Sequence, residues 1–91
     1  MSQIKLLLLD DHEVIRTGLR MLLASQPDLI IVGEAASGKE AIEVTGRCQP
    51  DVIIMDITLP DISGIETTRL IREQFPNLAV VALTIHEDEQ Y

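Results

Sequence analysis

Four short apolar runs punctuate the chain: Ile4–Leu9, Leu29–Val32, Val52–Met55 and Leu78–Leu83. None alternates with polar residues, so each predicts a strand buried on both faces, as in a parallel sheet. The segments between them carry helical spacing. Ile15, Leu19, Leu22 and Leu23 share one face of a first helix, which Pro27-Asp28 ends. A second helix starts at Ser37, with Glu40 three residues on as a capping box, and stops before Pro50. A third starts near Ser63 with Glu66 three on, and runs through Ile65, Thr68 and Leu70-Ile71 to Phe75-Pro76. Strand and helix in strict alternation predict an α/β fold, a doubly wound parallel sheet with helices on both faces.

The far end reads differently. His86-Glu87-Asp88-Glu89-Gln90-Tyr91 has the character of a first helical turn. The run before it would then be an uncovered sheet edge without Lys or Pro inside it, a site of unwanted pairing. The expectation is a piece of a larger domain, or a homo-oligomer formed through that fourth-strand edge or by exchange of elements.

Composition narrows the function. Ninety-one residues suffice for one domain, 1–91, and 46% hydrophobic with 24% charged is a globular balance. Fifteen acids against seven scattered bases give a net charge of −8, unsuited to nucleic acid or to an anionic membrane. Only Phe75 and Tyr91 are aromatic, too few for base stacking. A lone Cys48, no bilayer-length apolar run and no signal sequence make a cytoplasmic location the simplest expectation.

Chemistry converges on one rim. In a parallel sheet the C-terminal strand ends lie together, and ligands bind where successive crossovers leave for opposite faces. With the first strand central, that crevice falls between strands one and three. Strand one ends in Asp10-Asp11 and strand three in Asp56. Three clustered carboxylates repel one another unless a cation joins them. Oxygen ligands with no His or Cys nearby suit Mg²⁺ or Mn²⁺ rather than zinc. A metal that keeps open positions would admit a phosphoryl group, with one aspartate as its acceptor and the Thr84 hydroxyl as a donor to it. Each residue alone has a plainer explanation: Asp is a common helix N-cap, and Thr a routine strand end. Together they are harder to dismiss.

The residues that carry this site also resemble a known family. Leu8-Leu9-Asp10-Asp11-His12, Asp51-Val52-Ile53-Ile54-Met55-Asp56, the loop from Asp56 through Thr58 and Pro60 to Gly64, and Val80-Val81-Ala82-Leu83-Thr84 are similar to the receiver domain of bacterial two-component response regulators. Val32-Gly33-Glu34-Ala35 and Gly64-Ile65-Glu66-Thr67-Thr68-Arg69 look like its NarL/FixJ branch. The resemblance implies a flavodoxin-like sheet of order 2-1-3-4. It implies Asp56 as the acceptor of a phosphoryl group from a sensor histidine kinase. It implies Mg²⁺ held by Asp10, Asp11, Asp56 and the Thr58 carbonyl, and Thr84 as the switch hydroxyl. Thr58 and His86 would flank the phosphate, and Pro60 and Gly64 would shape the loop, Gly64 through its backbone freedom.

The family's fifth strand, its last helices, the Lys on that strand and the branch's usual DNA-binding domain have no counterpart in these residues. The implied outcome is a signalling domain rather than an enzyme, with weakened phosphorylation chemistry. The runner-up is a non-signalling interaction module that binds a kinase or a partner receiver. A metal-dependent phosphohydrolase is a poorer fit, because Thr58 stands where such an enzyme has its general acid.

Overall fold

The computed structural model describes residues 3–56 and 64–83. The elements alternate as β1 (Ile4–Leu9), α1 (Glu13–Leu23), β2 (Leu29–Ala35), α2 (Gly38–Cys48), β3 (Val52–Asp56), α3 (Gly64–Gln74) and β4 (Ala79–Leu83). All pairings are parallel and the order is β2-β1-β3-β4, as expected from the sequence.

β1 and β3 are the two central strands, and β1 carries four successive leucines suited to burial on both faces. Leu6, Leu7, Leu8 and Leu9 are all buried. Successive side chains alternate between faces. Leu7 and Leu9 join Ala41 and Val44 of α2, Ile53 and Met55 of β3, and Ile71 of α3 in one core cluster. Leu6 and Leu8 fill the other side, where α1 lies. The expectation of burial on both faces fails for the outer strands. In β2 only Ala35 is buried, and Ala79, Val81 and Ala82 of β4 are exposed. An edge strand in this sheet is covered on fewer sides than a central one.

Local signals are largely realised. Ser37 caps α2 by accepting the Glu40 N–H at 3.2 Å. The return arm differs from a simple capping box, since Glu40 accepts from the Ala36 N–H, one residue earlier, at 2.8 Å. α2 ends at Gln49 in a left-handed conformation (φ 52°), ahead of Pro50. Ser63, expected to cap α3, lies outside the described residues.

Two expectations need correction. Leu22, which the spacing sets on one face with Ile15, Leu19 and Leu23, is 70% exposed, together with Val14 and Met21. The apolar stripe of α1 is wider than the contact it makes, and Leu22 falls beyond its edge. β2 runs to Ala35 rather than Val32, because its register shifts. Leu6 pairs Ile31 while Leu7 pairs Gly33, which leaves Val32 as an extra, bulged residue.

The bulge turns Gly33 toward α2, where a Cβ would stand 2.9 Å from Val44 Cγ1 and 3.2 Å from Cys48 Sγ. Gly33→Ala should therefore cost about 1–3 kcal/mol through overpacking against buried Val44. Urea unfolding that gives a midpoint unchanged from wild type would contradict this close approach.

Candidate functional site

The site is built from the end of β1 outward. Asp10 follows the last strand residue, and its N–H still continues the sheet, donating to the Ala35 carbonyl at 3.1 Å. Its carboxylate is buried, with the residue only 6% exposed. Asp10 Oδ1 accepts both the His12 N–H and the His12 ring at Nδ1, each at 2.8 Å. The same Nδ1 stands 3.0 Å from Asp11 Oδ1, so one imidazole bridges both carboxylates.

The plainer N-cap explanation is half right. His12, not an aspartate, occupies the N-cap position of α1, with extended backbone and no side-chain cap bond of its own. Asp10 reaches over to hold that residue's N–H instead.

β3 delivers the third acid. Leu9 pairs Met55 in the β1–β3 register, so Asp10 and Asp56 are each one residue beyond that pair. Asp56 in turn pairs Leu83 of β4. The start of α3 is fastened to the same strand end. Gly64, its first residue, is buried, and the Thr68 hydroxyl donates to the Gly64 carbonyl at 2.8 Å while lying 3.6 Å from Met55 Sδ. Thr58, Pro60, Thr84 and His86 lie outside the described residues, as does the loop that Gly64 was expected to shape.

Oxygen ligands of Asp10 and Asp11 and a nitrogen of His12 lie within 4.8 Å of one another, a grouping able to hold a metal ion. This corrects the expectation that no histidine is near. The donor set still fits Mg²⁺: the His12 Nδ1 is engaged with both carboxylates, whose hard oxygens are the atoms that suit this ion. His12 is the site residue that sequence reasoning passed over, although it directly follows the acid pair.

Two clefts among the described residues lie elsewhere. One of about 520 Å³ is lined by Thr45, Gln49, Phe75 and Leu78, and one of about 420 Å³ by Met21, Leu23 and Ile30. Both lie toward the N-terminal strand ends, away from the acids. A site for a small hydrated cation needs converging charge, not volume.

Because Asp10 holds the first turn of α1, Asp10→Ala should cost about 1 kcal/mol in cation-free buffer, as loss of a capping acceptor does. Asp10→Asn, which keeps an acceptor oxygen, should cost less, and Asp11→Ala little. Thermal unfolding of the three variants checks that order.

Known proteins share both the sequence and the shape. The model of the response regulator receiver domain matches residues 6–91. The chain is 43% identical over 90 residues to the response regulator protein VraR of Staphylococcus saprophyticus, covering 97% of this chain and 43% of that one. It is 37% identical over 90 residues to the transcriptional regulatory protein DegU of Brevibacillus brevis, covering 99% and 38%. The chain thus spans about two-fifths of the length of these relatives. Among solved structures, a two-component response regulator of the LuxR family from an Aurantimonas species superposes with a TM-score of 0.88 at 37% identity, over 94% of this chain and 61% of that one. The response regulator domain of Thermotoga maritima CheB gives 0.86 at 38% identity, over 97% and 65%. Matched by that model over nearly its whole length, the chain belongs to the response regulator receiver domain family.

Proposed function

We propose that this chain is the phosphoacceptor of a two-component system, taking a phosphoryl group on Asp56 from a phosphohistidine of a sensor histidine kinase. The observation that carries the reading is the β1–β3 register, which sends the Asp10-Asp11 pair and Asp56 off the same rim of the sheet. In the transfer, a carboxylate oxygen of Asp56 forms the new O–P bond as the N–P bond of the donor breaks, and the electron pair and a proton end on the donor imidazole. Mg²⁺, held by Asp10, Asp11, Asp56 and the Thr58 carbonyl, would supply charge neutralisation for the phosphoryl oxygens. Thr84 would donate its hydroxyl to the phosphoryl group once it is in place. Pro60 and Gly64 would set the course of the intervening loop.

The residues themselves do three things. Asp10 fixes the start of α1, Asp11 presents a partly exposed carboxylate beside it, and the His12 ring bridges the two carboxylates through Nδ1. The kinase would dock on the outer face of α1, where Val14 beside the rim is 82% exposed and Met21 and Leu22, at the far end of the helix, are 73% and 70% exposed. The same face suits the alternative, an interaction module without phosphoryl chemistry. Transcriptional output through a DNA-binding domain, as the names of the relatives suggest, and a cytoplasmic location complete the reading. Among the described residues no helix is long and apolar enough to cross a membrane.

Incubation with a small acyl phosphate and Mg²⁺ tests the chemistry, read by intact mass and acid-stable, base-labile label. Wild type should incorporate one phosphoryl group, Asp56→Asn none, and Asp11→Asn should slow incorporation by roughly 10²-fold. Equal labelling of wild type and Asp56→Asn, or none in either, would leave the interaction module as the better account.

Self-association is the second partner reading. Among the described residues β4 pairs on one side only, with β3, and Val81 is half exposed. Pairing of that edge between two copies, or exchange of elements, would cover it. A net charge of −8 opposes such a dimer, so sedimentation should show more of it as salt rises. A monomer at every protein and salt concentration would exclude it.

A further inference from the structure

The bulge in β2 and both arginines of α1 meet on one carboxylate. Up to Ile31 the strand follows the usual alternation against β1; at Val32 it gains a residue without a partner, and Gly33 takes up the pairing with Leu7. From there the two faces are exchanged. Gly33 approaches Val44 and Cys48 of α2, and Glu34 stands on the α1 side. In an unbulged strand Glu34 would point into the α2 face.

There the Glu34 carboxylate takes one arginine on each oxygen. Arg16 Nε donates to Oε1 at 3.1 Å and Arg20 Nη1 to Oε2 at 2.5 Å. Arg16 is the more enclosed, its side chain 17% exposed against 44% for Arg20. Its other arm does something that an ion pair does not require: Arg16 Nη1 donates to the main-chain carbonyl of Asp10. That carbonyl belongs to the planar peptide unit from which Asp11 departs. The N–H side of Asp10 is held by Ala35, immediately after Glu34.

We propose that Arg16 is a positioning residue of the acid rim. Aimed by Glu34, which the Val32 bulge brings to this face, it fixes the Asp10–Asp11 peptide and thereby the direction in which the Asp11 carboxylate projects. The inference rests on the reading of that rim as a cation site and adds a residue outside it. A guanidinium is suited to the task because its rigid planar fork presents separate donors in fixed directions to a carboxylate and a carbonyl, where an ammonium is a compact charge on a flexible stem. Arg20 bonds Glu34 and the Thr17 hydroxyl, and serves as the internal control.

Simple electrostatics gives the opposite expectation, which makes the test discriminating. Removing a positive charge near a cation site should tighten cation binding. Loss of an orienting partner should weaken it, by roughly ten- to a hundredfold in metal sites generally.

The experiment is calorimetric titration of the 91-residue chain with Mg²⁺ and, separately, Mn²⁺. Arg16→Met should weaken both at least about tenfold. Arg16→Lys should fall between it and wild type, Glu34→Gln should weaken binding in the same direction, and Arg20→Met should leave it unchanged. Far-UV circular dichroism and cation-free unfolding report whether each variant is folded; should Arg16→Met fail to fold, Arg16→Lys against Arg20→Met makes the same comparison. Wild-type or tighter affinity in the Arg16 variants overturns the inference alone. A wild-type chain that binds neither cation, or an Asp11→Asn variant that binds like wild type, overturns the cation-site reading and this inference with it.

Discussion

The arrangement depends on one constraint, the parallel pairing of β1 on both of its edges. A strand with partners on both sides and helices on both faces has no solvent to turn toward, and Leu6–Leu9 meet that condition with four successive buried leucines. Because its neighbours run parallel to it, their polar ends emerge together. Asp10 leaves the sheet beside Ala35 on one hand and beside the end of β3 on the other. The rim is acidic at the ends of β1 and β3 because the buried run of β1 before it holds only leucines.

The handling of charge follows from that geometry. A chain with fifteen acids and seven bases cannot neutralise every carboxylate. Its distribution near the rim is selective. Two arginines share Glu34, and Arg16 turns a second nitrogen, Nη1, to a backbone carbonyl rather than to an aspartate carboxylate. Among the described residues, Asp10 and Asp11 share the His12 imidazole between them. A strongly paired acid would be a poor ligand, so diverting the guanidinium groups to Glu34 keeps the rim carboxylates available for a cation while using the same groups to hold them in place.

α1 is thereby tied to the site at two levels. Its first turn is held by the Asp10 carboxylate, and its second by Arg16 across to β2. Its outer face stays apolar and open at Val14, Met21 and Leu22. A partner seated on that face would press on the helix whose two inner anchors are both at the acid rim, which joins docking and chemistry in one element.

Much of this was legible in the residues. The four apolar runs gave the strands, Pro27, Pro50 and Pro76 the helix limits, and Asp10, Asp11 and Asp56 the rim, because strand length and helix punctuation are local properties and polar residues at strand ends are visible by position. What the sequence left open depended on register. Glu34 reads as one more surface acid until Val32 is seen to be unpaired, and only then does it belong with Arg16. Leu22 reads as core until the width of the α1 contact is known. Strand periodicity tells which residues alternate but not where the alternation slips, and a slip of one residue exchanges the two faces of everything after it. That step is decided by which neighbours pack best across space, here Gly33 beneath Val44 and Glu34 between two arginines, and so it belongs to the tertiary structure.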